Sequence, residues 1–247
     1  MNLIVDIGNT ATKIAVMDSN NQVVARRRVE HLSSEMTAAL LDEYPYIDKA
    51  IVASTGVGDE CVCEVLRRKV AYFLEFAPTT DIPLENGYKT PETLGADRLA
   101  AAVGAQVLYG ERNMLIVDFG TAITYDLVTD GVFRGGNISL GMGARFKALH
   151  DYTSSLPLCE PTDEKIEFGR TTREAVEQGV MSGIEYETEG YIAEFCKKYD
   201  DLCIIFTGGD AKNFVNRIKN TIFANCDLTL CGLNRILEYN AAKKDNE

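Results

Sequence analysis

A six-residue pattern occurs twice in this chain with a single change: Leu3-Ile4-Val5-Asp6-Ile7-Gly8 returns 112 residues later as Leu115-Ile116-Val117-Asp118-Phe119-Gly120. A repeat of this kind constrains the fold more than any local propensity, because a duplicated strand and turn implies two copies of one structural unit. Each copy continues through a Thr-containing turn, Asn9-Thr10-Ala11-Thr12 and Thr121-Ala122-Ile123-Thr124, into a second apolar run, Lys13 to Met17 and Tyr125 to Val128. Period-2 apolar runs joined by a short Gly/Thr turn predict a β-hairpin at the head of each half.

The segment 49–55 (KAIVAST) predicts a buried strand, followed by Gly56-Val57-Gly58 and an amphipathic helix from Asp59, as N-cap, to about Phe73. After a loop with Pro78, Pro83 and Pro91, the Ala-rich stretch Ala96 to Tyr109 predicts a helix, and residues 110–113 mark the junction of the halves. In the second half, Thr171-Thr172-Arg173-Glu174 is a capping box that predicts a long helix to about Lys198. Leu202 to Phe206 predicts a strand ending in Thr207-Gly208-Gly209-Asp210, with another helix near Lys212 to Asn220. Mixed strands and helices in repeated halves predict an α/β protein of two similar domains, 1–110 and 111–247, with ligands in a cleft between them.

At 247 residues the chain can bury a sizeable core, and 46% hydrophobic with 25% charged residues is ordinary globular usage. The first apolar run has no basic leader and meets Asp6 at once, and no run of about 18 apolar residues occurs, so neither a secretory signal nor a membrane span is expected. The expected compartment is the cytoplasm. The seven cysteines contain no C-x-x-C pair and only two histidines accompany them, so buried reduced thiols are expected rather than a metal site. A formal charge of −12 repels a polyanion, and the short runs Arg26-Arg27-Arg28 and Arg67-Arg68-Lys69 are expected on solvated strand and helix faces, so nucleic acid is not an expected partner.

An apolar strand that breaks at Asp-x-Gly and turns through Asn-Thr or Thr-Ala presents backbone N–H groups and hydroxyls at one end of a sheet, a cradle for phosphate oxygens. Gly8 and Gly120 admit a close ligand, Thr10 and Thr121 donate hydroxyls, and Asp6 and Asp118 supply oxygens for a hard cation. One such turn alone is an ordinary hairpin turn; two after the same apolar tetrad point to phosphate. Thr207-Gly208-Gly209-Asp210 is either a platform for a flat base or a strand-to-helix loop needing Gly for packing. In Gly95-Ala96-Asp97-Arg98 a carboxylate beside a guanidinium opens a helix; Asp97 can complement the helix dipole or take a proton from an acceptor hydroxyl, and Arg98 can pair with an acid or grip an anionic acceptor. Walker A, protein-kinase and Gly-x-Ser-x-Gly patterns are missing from the sequence.

With Asp6-Ile7-Gly8-Asn9-Thr10, Gly95-Ala96-Asp97-Arg98, Asp118-Phe119-Gly120-Thr121 and Gly135-Gly136-Asn137-Ile138 in this order, the chain resembles type III pantothenate kinases over essentially its whole length. The resemblance implies duplicated ribonuclease H-like domains of the actin, Hsp70 and hexokinase superfamily, and ATP-dependent phosphorylation of pantothenate to 4′-phosphopantothenate, the first step of coenzyme A synthesis. It implies an ATP phosphate loop from Asp6, Ile7, Gly8, Asn9, Thr10, Ala11 and Thr12 to Lys13, with Thr121 as a further ATP contact. It also implies Asp97 as proton acceptor; Gly95, Ala96, Asp97, Arg98, Tyr88 and Thr172 as pantothenate contacts; and Asp118 as ligand of a monovalent cation (K⁺ or NH₄⁺) beside the Mg²⁺ that accompanies ATP. A homodimer with the pantothenate pocket near the subunit interface is a further family expectation. One departure is Leu140, where the family often has Pro before Gly141; it leaves the backbone less restricted. The alternatives are a nucleotide-binding regulator or chaperone of the same fold, which the short chain disfavours, and a kinase for another small metabolite.

Overall fold

The computed structural model describes residues 1–8, 10–54, 60–219, 223–224 and 227–244. The chain opens with β1 (Asn2–Ile7), β2 (Thr12–Met17) and β3 (Val23–Val29), followed by α1 (Ser34–Glu43), β4 (Lys49–Ser54), α2 (Glu60–Lys69) and β5 (Tyr72–Phe76). The five strands form one sheet in the order β3-β2-β1-β4-β5, with β1 antiparallel to β2 and parallel to β4. Leu3, Ile4 and Val5 are wholly buried because β1 has a neighbour on both edges and cover on both faces. The edge strand β3 exposes Arg26, Arg27 and Arg28, and a charged edge discourages pairing with another chain.

The helix from Asp59 was expected to run to about Phe73, but α2 ends at Lys69. Tyr72-Phe73-Leu74-Glu75-Phe76 instead pairs in parallel with β4, so the β-favouring aromatic run follows the sheet rather than the helix. The expected N-cap, Asp59, lies outside the described residues, as do Thr55 to Gly58. Within the two basic runs, Arg26 pairs with Asp227, Arg27 with Glu43, Arg67 with Glu60 and Glu75, Arg68 with Glu64, and Lys69 with Asp42.

After β6 (Glu85–Asn86) comes α3 (Ala96–Tyr109), with the predicted bounds. Then follow β7 (Met114–Phe119), β8 (Ala122–Thr129), β9 (Val132–Leu140), α4 (Met142–Asp151), α5 (Thr172–Cys196), β10 (Cys203–Thr207) and β11 (Phe223–Ala224). These strands make a second sheet in the order β11-β10-β7-β8-β9, and β6 runs parallel to the start of β9 at Val132 and Phe133. The predicted capping box is present: Thr171 Oγ1 accepts from the Glu174 N–H at 3.2 Å, and the Glu174 carboxylate accepts from the Thr171 N–H. The helix expected near Lys212 is only a 3-10 turn, Ala211–Asn213. Isolated helical bonds follow, from the Val215 N–H to the Ala211 carbonyl and from the Ile218 N–H to the Phe214 carbonyl, while Phe214 stacks on Phe119 at 4.9 Å and Arg217 donates to the Thr162 carbonyl. Cys63, Cys159, Cys203 and Cys231 are buried thiols, but Cys61 and Cys196 are exposed, against expectation; Cys226 lies outside the described residues.

The chain forms two compact units, Met1–Glu111 with Gly131–Phe133 and Asp227–Glu247, and Arg112–Asp130 with Arg134–Cys226. A C-terminal helix, α6 (Leu228–Lys244), therefore belongs by its contacts to the first unit, although the repeat-based division at 110/111 counts it with the second half. It packs on α3, β1 and β4. The α3–α6 crossing is backbone on backbone: a Cβ on Gly104 would overlap the Leu228 carbonyl, and one on Gly232 would overlap that of Ala100. A buried polar cluster fixes α6 on the sheet, with Asn2 Nδ2 donating to Asn234 Oδ1 (2.7 Å) and Glu238 Oε1 (2.6 Å), and Lys49 Nζ bonding Glu238 Oε2 at 2.7 Å.

Gly232→Ala should lower stability by roughly 1–3 kcal/mol through overpacking, outweighing the gain of about 1 kcal/mol in helix propensity. Thermal denaturation checks this; an unchanged or higher Tm would contradict the close crossing.

Candidate active site

In the first hairpin Asp6 lies opposite Lys13 and Ile7 opposite Thr12, and the Gly8 N–H donates to the Ala11 carbonyl at 3.2 Å to close the turn. Asp6 is 7% exposed, with Lys13 Nζ at 3.7 Å from Oδ2. Burial pushes the Asp6 carboxyl above its usual range; Lys13 opposes the shift and Asp97 adds to it. Thr10 is exposed, Thr12 is buried, Ile7 and Ala11 are half-buried, and Asn9 lies outside the described residues.

A 3-10 turn over Pro91–Thr93 and the buried Leu94 deliver the chain to Gly95, the N-cap of α3. The Arg98 N–H is shared between the Gly95 carbonyl at 3.2 Å and Asp97 Oδ1 at 2.9 Å. A Cβ on residue 95 would stand 2.5 Å from that same Oδ1, so glycine is what lets the Asp97 carboxylate fold back over the helix start. Ala96 is buried, Asp97 half-buried and Arg98 only 6% exposed. The Arg98 guanidinium carbon lies 5.8 Å from the centre of the Tyr88 ring and 5.9 Å from that of Phe133. Two aromatic faces thus attract a largely desolvated cation.

Phe133 is a residue that sequence reasoning missed. Its backbone accepts from the Gly87 N–H at 2.9 Å, and Asn86 Oδ1 accepts from the Tyr88 N–H at 3.0 Å, so strand pairing carries both rings to Arg98. No sequence signal links position 133 to position 98, because the connection is a parallel pairing of two-residue β6 with β9.

In the second unit Asp118, next to last in β7, lies opposite Thr124 of β8 and Thr207 of β10, and the Gly120 N–H donates to the Ala122 carbonyl at 3.1 Å. Asp118 is half-buried and Thr121 exposed. Gly208 has φ +93, and a Cβ there would strike Asp118 Oδ1 and the Phe119 carbonyl, while the Asp210 N–H donates to that carbonyl at 3.0 Å. Of the two roles open to Thr207-Gly208-Gly209-Asp210, the geometry favours packing behind Asp118. Gly135 to Ile138 lie within β9, Gly135 at φ 111, and Thr172 is exposed at the first turn of α5. The first unit thus holds Asp6 to Gly8, Thr10 to Lys13, Tyr88 and Gly95 to Arg98, and the second holds Asp118, Thr121 and Thr172.

A family model described as type III pantothenate kinase matches residues 2–194. The chain belongs to the type III pantothenate kinase family. A type III pantothenate kinase of Phocaeicola vulgatus is 42% identical over 97% of this chain and 99% of that protein, and one of Porphyromonas gingivalis is 42% identical over 97% and 98%. Among solved structures, the activator of the 2-hydroxyisocaproyl-CoA dehydratase from Clostridium difficile, which holds ADPNP, superimposes with TM-score 0.55 at 15% identity over 99% of this chain and 96% of that one. Component A of the (R)-2-hydroxyglutaryl-CoA dehydratase of Acidaminococcus fermentans gives 0.53 at 14% identity over 100% and 99%. At such identities the likeness concerns the fold alone, the two-sheet α/β architecture.

The donor set suits the cations expected of a type III pantothenate kinase. Among the described residues no group of three or more His, Cys, Asp or Glu forms a metal cluster, so a Mg²⁺ here would be held as Mg²⁺ commonly is, by one or two carboxylates, water and the nucleotide phosphates. Asp6, a buried carboxylate made more costly to ionise by Asp97, is a hard oxygen ligand whose charge such a cation would offset.

The sign of the Asp6 shift makes a prediction. A carboxyl whose pKa is raised on folding contributes stability that is present below the ordinary value of 3.8 and lost as pH rises through the folded value. Asp6→Asn should therefore raise Tm at pH 7–8, by about 2–4 °C per kcal/mol relieved, with the difference vanishing toward pH 4, while turnover is lost. A lower Tm at neutral pH would contradict the assignment.

Proposed function

We propose that this chain transfers the γ-phosphoryl group of ATP to pantothenate, giving 4′-phosphopantothenate and ADP at the first step of coenzyme A synthesis. The observation that carries this reading is the juxtaposition, in one unit, of a buried phosphate-loop carboxylate with a helix start that presents Asp97 beside a desolvated Arg98. Gly8 and the run to Lys13 hold the nucleotide phosphates, with backbone N–H groups and the Lys13 ammonium as donors; Thr121 is a further ATP contact from the second loop. Arg98, flanked by Tyr88 and Phe133, takes the pantothenate carboxylate, where a planar fork of donors in a dry site discriminates strongly for an anion. Thr172 adds a hydroxyl contact to pantothenate.

The primary hydroxyl oxygen of pantothenate attacks the γ-phosphorus, the bond to the β–γ bridging oxygen breaks, and ADP carries away that electron pair. Asp97 takes the hydroxyl proton. Because the transition state is loose, the proton moves late and an ordinary carboxylate suffices. Asp6 would hold a Mg²⁺ together with the nucleotide, and that ion would supply charge neutralisation at the transferring phosphates. Asp118 is the ligand of a monovalent cation, K⁺ or NH₄⁺. The halves 1–110 and 111–247 are the two homologous domains, the enzyme works as a homodimer, and it resides in the cytoplasm, where ATP and reduced thiols are found. No helix among the described residues is long and apolar enough to cross a membrane.

Asp97→Asn should still bind ATP while turnover falls by about 10²–10⁴, the usual contribution of a positioned general base. Mass spectrometry of 4′-phosphopantothenate formed from ATP, Mg²⁺, K⁺ and pantothenate measures this. Wild-type product with undiminished Asp97→Asn turnover would remove Asp97 from the base role, and no product from folded wild-type protein would remove pantothenate as substrate.

A further inference from the structure

Leu140 precedes Gly141, and Gly141 is pressed against the second phosphate loop. The Gly141 N–H donates to the Thr121 carbonyl at 3.1 Å, and a Cβ on Gly141 would overlap the carbonyl oxygens of Gly120 and Thr121. Any drift of the backbone at 140–141 is therefore passed directly to the turn that carries Thr121. The side chain that restrains this backbone comes from α4: Arg145 Nε donates to the Leu140 carbonyl at 2.8 Å and Nη2 to Ser139 Oγ at 3.0 Å. The same Nη2 reaches Glu187 Oε2 of α5 at 2.5 Å, and Glu187 lies close enough to the buried Tyr125 of β8 to perturb its hydroxyl. The guanidinium is thus gripped at both ends, by a long helix and by the loop it restrains, with its side chain only 19% exposed. A planar fork anchored by a carboxylate loses little freedom on bonding a carbonyl, which makes it a firm tether.

We propose that Arg145 is a positioning residue for ATP binding, acting through Leu140 and Gly141 to hold the turn of Gly120 and Thr121 in register for the nucleotide phosphates. It supplies through a side chain the restriction that a proline at 140 would build into the backbone. The proposal rests on Thr121 being an ATP contact, so the experiment includes Thr121→Ala as a separate arm.

Arg145→Ala should raise KM for ATP about tenfold, with KM for pantothenate unchanged, since a charged hydrogen-bond donor to a carbonyl is removed at a distance from the acceptor substrate. Arg145→Lys, which keeps the charge for Glu187 but not the fork, should fall between Ala and wild type, and it stands in for Ala if that variant does not fold. Adding Leu140→Pro to either variant should restore most of the lost ATP affinity, because the fixed φ replaces the tether; direct binding of a non-hydrolysable ATP analogue provides a readout independent of turnover. A merely structural Arg145 would instead move both KM values and Tm together and would not be rescued by proline, and that result overturns the proposal. If Thr121→Ala raises KM for ATP and the Arg145 variants do not, the tether alone is wrong. If Thr121→Ala leaves ATP affinity unchanged, the loop reading falls and the Arg145 proposal with it.

Discussion

The backbone contact between α3 and α6 is the constraint on which the first unit depends. Gly104 and Gly232 let two helices approach until their main chains touch, and α6 in turn packs on β1 and β4. The helix whose first turn carries Asp97 and Arg98 is thereby referenced to the strand that carries Asp6. Side chains at this crossing would push the helices apart and move the start of α3, since close-packed interiors transmit such displacements rather than absorb them. The polar cluster of Asn2, Asn234, Glu238 and Lys49 fixes the rotation of α6 on the sheet, so both separation and orientation of α3 are set remotely.

That placement creates a site the apo protein bears at a cost. Asp6 is buried, and the nearby Asp97 makes its ionisation harder, an arrangement that becomes favourable when a cation and phosphates bring compensating charge and donors. Arg98 is likewise withdrawn from water, its guanidinium near the Tyr88 and Phe133 rings. Destabilised, pre-organised groups of this kind are the usual exchange of stability for function. The two repeated aspartates thus differ in environment: Asp6 is buried with Lys13 across the hairpin, whereas Asp118 is half-buried and backed by the glycine at 208.

Much of this was legible in the sequence, and where it was not the cause is physical. The hairpins, the helix from Ala96 to Tyr109 and the capping box at Thr171 are local patterns, so local residues announce them. The end of α2 was misplaced because Tyr72 to Phe76 obey a pairing with β4 that no window around them reveals. Helix α6 went unpredicted because it is buried on most sides, from Leu228 to Ala241, and shows no single apolar face. At the site, Asp6 and Asp97 were found as residues but their electrostatic coupling was not, and Phe133 and Arg145 were invisible. Each acts through a tertiary contact, Phe133 by strand pairing and Arg145 by reaching a backbone carbonyl five residues earlier, that residue type alone does not encode.

The central claim is that the phosphate loop and the proton acceptor form one electrostatic site. Titration of the Asp6 carboxyl carbon by NMR, in wild type and in Asp97→Asn, tests it without relying on turnover. If the charge of Asp97 helps to raise the Asp6 carboxyl, removing that charge lowers the Asp6 midpoint while leaving it above 3.8, because burial remains the larger cause. An Asp6 midpoint that is the same in both proteins would contradict the account.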